Sequence, residues 1–185
     1  MIIHVIIEPY MIGNDIIDLS CAPAVTGKHL VKYYSSSDLH HFGINEYWKI
    51  LALKESAWKC VHKLIGLNAF IPPHFSVHSN MESVKYYSLI LPVILLENNE
   101  EYIHTIVGTQ GVSGWKVCGE GSHRINFAAD YCERTGVNPD VVRHSSDLSP
   151  NGLGPPVIVN DKHNTSVTFS HDGRYSSYAY KINVS

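Results

Sequence analysis

The chain is poor in the features that announce most common functions. Nowhere in its 185 residues is there a long apolar run. The most apolar stretch, Leu89 to Leu96, is broken by Pro92 and falls far short of the ~20 residues a membrane-spanning helix needs. The first residues, Met1 to Tyr10, hold only a short apolar run, Val5 to Ile7, with no basic stretch, so they do not read as a signal peptide. Positive charge is not in excess: the formal net charge is −3, whereas non-specific nucleic-acid binding needs a basic field. Cysteine is scarce. Cys21, Cys60, Cys118 and Cys132 form no C-x-x-C pair, which excludes the usual zinc spacing and is too sparse for a disulfide scaffold. Carboxylates and histidines do not gather as a two-metal phosphohydrolase would want. There is no repeat and no low-complexity tract. These absences predict a cytoplasmic protein with reduced thiols, no membrane partner and no nucleic-acid partner.

What is present suits one folded domain over 1–185. The chain is 44% hydrophobic and 17% charged, enough to build a normal core. Met11 to Leu19 reads as a strand carrying the polar turn Gly13-Asn14-Asp15. Ser20 to Gly43 reads as a loop with one short helix. Asn45 to Ile65 is the clearest helix. Asn45 suits its N-cap and Gly66 its stop, with Tyr47, Leu51, Trp58, Val61 and Ile65 as an apolar stripe. Val84–Leu96, Tyr102–Thr109 and Val112–Val117 look extended, His123 to Cys132 suggests a second helix, and Ser145 to Pro156 reads as a loop. Ser166–His171 and Tyr175–Ile182 form a hairpin about Asp172-Gly173. The fold class expected is α+β, an antiparallel sheet packed against a long helix.

Three separated pieces carry polar groups with a common chemistry. Asp15 lies on the first strand, and Glu55 and Lys59 sit one turn apart on the long helix. Ser170 and His171 lie on the first strand of the hairpin, downstream of Pro156. Two carboxylates suit magnesium, which takes hard oxygen ligands and commonly only one or two from protein. A lysine beside them suits a phosphate. Taken singly, each has an ordinary reading: Asp15 as a turn cap, Glu55–Lys59 as an exposed helix pair, His171 as a half-buried histidine. Asp18 competes with Asp15, but strand alternation puts it on the opposite face. The same alternation puts His171 with Val167 and Phe169, on the buried or interface side, and turns Ser170 away.

Together the pieces resemble the signatures of the 4′-phosphopantetheinyl transferase superfamily: a G-x-D strand, a W-x-x-K-E-[AS]-x-x-K helix, and an S-x-S-H strand after a G-x-P segment. The matching residues are Gly13-Asn14-Asp15, Lys54-Glu55-Ser56-Ala57-Trp58-Lys59, and Thr168-Phe169-Ser170-His171 with Pro156. Asn14 replaces the usual apolar residue, Leu51 stands where the helix signature has tryptophan, and Thr168 replaces the first serine. The order resembles the short holo-acyl-carrier-protein synthase type, with a longer segment at about 67–150. The resemblance implies transfer of phosphopantetheine from coenzyme A to a serine of an apo acyl or peptidyl carrier protein, releasing adenosine 3′,5′-bisphosphate. Asp15 and Glu55 would bind Mg2+, and Asp15, Glu55 and Lys59 would be catalytic. Lys54, Lys59, Pro156, Ser170 and His171 would bind the cofactor. It also implies homotrimers with sites shared between subunits. Carrier proteins are typically acidic, and Lys28, Lys32 and His29 are candidates for a basic docking face. The alternative is a non-catalytic carrier- or coenzyme-A-binding module of the same fold.

Overall fold

The segment Ile12–Asp18 forms β1, every residue of it buried. It opens a computed structural model that describes residues 11–67, 69–145 and 153–183. Three helices follow: α1 (Gly27–Tyr33), α2 (Ser36–His41) and α3 (Tyr47–Ile65). Ser20 to Gly43 is therefore more helical than the sequence suggests. Thr26 and Ser35 supply the reason, since each closes a capping box at a helix start. Strands β2 (Phe75–Val77), β3 (Ser83–Tyr86), β4 (Leu89–Asn98) and β5 (Tyr102–Gly108) complete an antiparallel sheet of order β1-β5-β4-β3-β2. The expected strand Val84–Leu96 is thus two strands, parted at Tyr87, whose φ is +50°.

The second half follows a similar order of elements, which no repeat in the sequence announces. It runs β6 (Gly114–Gly119), α4 (His123–Thr135), β7 (Val141–Ser145), β8 (Leu153–Ile158), β9 (Ser166–Asp172) and β10 (Tyr175–Lys181). In each half a strand is followed by helix (three in the first half, one in the second), a hairpin and two more strands, and the first strand pairs with the last. The second sheet has the order β6-β10-β9, with β7 and β8 paired beside it. Of the expected Ser145–Pro156 loop, 146–152 lies outside the described residues, as do Met1 to Tyr10. Leu153 onward is strand. The hairpin closes through Gly173 and Arg174, one residue later than expected, because Asp172 still pairs with Tyr175.

Helix α3 starts after a 3-10 turn, Ile44–Glu46, so Glu46 rather than Asn45 takes the cap position. It ends at Gly66 in the left-handed conformation, as expected. Its buried surface is wider than the predicted stripe. Tyr47 and Val61 of that stripe lie in the core, where Ile50, Leu53, Ala57 and Cys60 join them, whereas Leu51 and Trp58 are only partly buried and Ile65 is exposed. The helix lies against β1 and β5 on one side and β2 on another, so polar Lys54 and Ser56 are buried too. The second half has a separate core of Phe127, Tyr131, Phe169, Tyr178 and Tyr180 beneath α4. Among the described residues no helix is long and apolar enough to cross a membrane.

Candidate functional site

The site begins with a glycine. A Cβ built on Gly13 would lie 2.0 Å from the Ser56 carbonyl oxygen and 2.8 Å from the Cys60 nitrogen. Only the missing side chain lets β1 touch the backbone of α3. That contact sets Asp15 against the helix turn carrying Glu55 and Lys59. Lys59 Nζ donates to Asp15 Oδ1 at 2.9 Å and to the Asn14 carbonyl at 3.0 Å, and lies 3.4 Å from Glu55 Oε1. One ammonium thus bridges both carboxylates, which the sequence separates by forty residues.

The third piece arrives from the other sheet of the same chain. Strand β1 is the edge of its sheet, and an unpaired edge leaves amides to be satisfied. Alternate side chains of β9 do this. Thr168 Oγ1 accepts from the Asn14 amide, Ser170 Oγ from Ile16 and Asp172 Oδ2 from Asp18, at 3.4, 3.3 and 2.9 Å. From α3, Lys59 and Lys63 donate to the carbonyls of Asn14 and Ile12. The two sheets therefore meet through side chains, not through a ladder. Ser170 also donates to Asp15 Oδ1 at 2.7 Å and accepts from Lys59 at 3.2 Å. Asp15, Lys59 and Ser170 meet without a second subunit.

Electrostatics follow from this packing. Burial pushes the Asp15 carboxyl up to about 7, with Glu55 adding and Lys59 and Ser170 opposing. Burial works against the Lys59 ammonium, but Asp15 and Glu55 outweigh it and hold the group above its usual value. Glu55 is the open member of the trio, with its side chain 35% exposed against 6% for Asp15. The donor set suits a small hard cation. Asp15 and Glu55 could each give carboxylate oxygen, with phosphate and water supplying the rest. Among the described residues no three His, Cys, Asp or Glu side chains gather to hold a metal alone.

Two expected site residues lie elsewhere. Lys54 is fully buried and paired with Asp38 at 2.6 Å, and it donates to the carbonyls of Tyr33 and Pro72. It anchors α1 and the 3-10 turn Pro72–His74 to α3 and is closed to a ligand, despite its place in the helix motif. His171 shares a strand face with Val167 and Phe169 as expected, yet it is exposed and Ser170 is buried. The face of β9 that meets β1 carries Thr168, Ser170 and Asp172, so the roles expected of the pair reverse. Asp18 is no rival to Asp15. Arg174 clamps it through both carboxylate oxygens at 2.9 and 3.0 Å, and these bonds hold it well below the usual carboxylate range.

Cations that sequence reasoning did not single out complete the surroundings. Lys63 lies four residues beyond Lys59, so extending the Glu55–Lys59 spacing by one turn would have found it. It borders a cavity of about 160 Å³ lined also by Pro155, Pro156 and Ser166. Burial pushes its ammonium down to about 7, with Lys59 and Arg143 adding. Arg143 is lowered by burial and by Arg124, and His123 by burial and by Arg124, His171 and Arg143. Among the described residues none of these cations has a salt bridge to a carboxylate. Lys28 and Lys32 are exposed on α1. Compared with protein-family models, curated proteins and solved structures, the chain matches none.

Proposed function

We propose that this protein transfers the 4′-phosphopantetheine group of coenzyme A to a serine of an apo acyl or peptidyl carrier protein. The observation that carries the reading is the meeting, in one chain, of Asp15, Glu55–Lys59 and Ser170. These are the three motif pieces, and Glu55, the exposed member, adds a carboxylate that the β1–β9 seam itself does not use. The adjoining cations repel one another and have no carboxylate partner among the described residues, which suits a ligand with several phosphates.

In this reading the carrier serine oxygen attacks the phosphorus attached to pantetheine. The new P–O bond replaces the bond to adenosine 3′,5′-bisphosphate, which departs with the electron pair. Lys59 donates to the transferring phosphate as charge shifts onto its oxygens. Asp15 orients Lys59, and Ser170 holds Asp15. Glu55, the more exposed carboxylate, is positioned to take the serine proton. Asp15 and Glu55 would hold magnesium, which would neutralise the diphosphate. Arg143, Arg124 and His171 would bind phosphate oxygens farther along the cofactor, Lys63, held by the Ile12 and Val167 carbonyls, would add positive charge beside them, and Pro156 would wall the adjoining cavity.

Incubating the protein with coenzyme A, magnesium and candidate apo-carriers, then weighing the carriers, tests the proposal. The expected result is a carrier heavier by one phosphopantetheine, with the gain lost in Glu55→Ala. Coenzyme A binding with no mass gain on any carrier would leave the non-catalytic module. Neither binding nor transfer would sink both.

A further inference from the structure

The motif residue that departs most from its family pattern is Asn14, and the structure gives it work. Even-numbered residues of β1 face the second sheet. There Asn14 Nδ2 donates to Ser177 Oγ on β10 at 2.7 Å, a fully buried bond. Its Oδ1 is also buried and has no partner among the described residues. A second orphan lies beside it. His104 on β5 is fully buried, and among the described residues neither ring nitrogen has a partner. In the β1–β5 ladder Asn14 stands opposite Ile106 and Ile16 opposite His104, so Asn14 and His104 are diagonal neighbours on one face. Such neighbours lie about 7–8 Å apart at Cα, within reach of long side chains.

Trp115 on β6 lies over the imidazole, with ring centroids 5.4 Å apart. Beside Trp115, the residues that β10 turns toward this layer are small, Ser177 and Ala179. A neutral imidazole offers one donor and one acceptor. Leaving the imidazole donor and the neighbouring amide oxygen both unmet costs more than immobilising one water between them. Buried waters characteristically satisfy two to four such groups.

We propose that Asn14 Oδ1 and the His104 imidazole share an ordered internal water, and that with the Asn14–Ser177 bond this water clasps the two sheets together. His104 donates to the water, and the water donates to Asn14 Oδ1. The clasp sits one residue from Asp15, on the strand whose Asn14 carbonyl receives Lys59. It therefore braces the seam where Asp15 and Ser170 meet from opposite sheets. The proposal does not depend on the transferase reading, and its test needs no activity.

Water-to-protein magnetisation transfer and a high-resolution crystal structure of the unaltered protein should find one long-lived water between these side chains. Thermal midpoints of Asn14→Val, His104→Phe and the double variant provide the second measurement. Each single change should lower the midpoint. The double variant should fall no further than the worse single, because either change already breaks the bridge. A direct Asn14–His104 bond, a dry seam, or additive losses in the double variant would each overturn the clasp.

Discussion

The two halves of the molecule use one arrangement for opposite ends. In the first, Gly13 stands opposite Val107 and Asp15 opposite Thr105. In the second, Gly114 stands opposite Tyr180 and Lys116 opposite Tyr178. Both glycines admit a close neighbour. At Gly13 it is the backbone of α3, and at Gly114 it is the Tyr180 ring, 2.7 Å from where a Cβ would stand. The first half uses that closeness to hold an aspartate against a lysine. The second uses it to pack an aromatic core, and its residue at the Asp15 position, Lys116, is exposed. The lesson is that this strand–helix crossing is a scaffold. Chemistry depends on which residues sit two places beyond the glycine and on what the opposing sheet brings to them. Only β1 receives a strand with Thr168, Ser170 and Asp172 spaced to meet alternate amides.

The largest effect should come from a residue the comparison removes from the site. Lys54→Met leaves Asp38 buried without its cation, although Ser35 and the Val77 amide still bond it. Breaking one side of a buried pair costs ~3–5 kcal/mol. Denaturant unfolding should show that loss. Coenzyme A affinity of the protein still folded should be unchanged, and a matching loss of affinity would return Lys54 to the site.

Next come the carboxylates. Asp15→Ala and Glu55→Ala should each lower transfer by about 100-fold or more, the scale of losing one preorganised electrostatic group. Lys116→Ala, at the equivalent place in the second half, should leave it within about twofold, since exposed changes away from a site cost little. Carrier mass shift against time measures all three. Equal losses in the two halves would erase the functional difference between them.

Gly13→Ala should destabilise more than Gly114→Ala. The first forces a methyl against backbone of α3, which must move. The second meets the edge of a ring, which can tilt. Overpacking typically costs ~1–3 kcal/mol, and the first change belongs at the top of that range. Thermal melts of the two variants decide the order.

How much of this was legible in the sequence depends on distance along the chain. The helix ending at Gly66, the strand carrying Asp15 and the hairpin were readable because local periodicity and turn residues encode them. Asp15, Glu55, Lys59 and Ser170 were readable as motif members. The failures share one cause, tertiary neighbours. Lys54 lies within the helix motif, but only the arrival of Asp38 from α2 reveals its structural role. Alternation correctly separated Ser170 from His171, yet which face meets β1 depends on how the two sheets dock. The likeness of the halves escaped because they share an order of elements and not a pattern of residues. Lys63 could have been found one turn beyond Lys59, but Arg124 and Arg143 lie far from it in sequence.

The smallest effect concerns pH, because two buried groups of the first half oppose each other. Burial holds Asp15 up at about 7, above its ordinary 3.8. Its protonated form is favoured in the fold, so its stabilising contribution is complete below 3.8 and is lost as pH rises through about 7. Burial, with Lys59 adding, depresses His104 to about 4 from 6.5. Its neutral form is favoured, so its contribution is complete above 6.5 and is lost as pH falls through about 4. Between about pH 4.5 and 6.5 the two slopes have opposite sign and largely cancel. Among its described residues the second half offers no such opposing pair: His123 is lowered, chiefly by burial, and Tyr178 and Tyr180 are raised, chiefly by burial, far above this window. Denaturation midpoints across the window should be nearly flat for the unaltered protein. In His104→Phe, stability should fall as pH rises, with the Asp15 slope unmasked. In Asp15→Asn it should rise, with the His104 slope unmasked. The same sign in both variants would mean that the pH response does not arise from this pair, and the electrostatic contrast between the halves would fail with it.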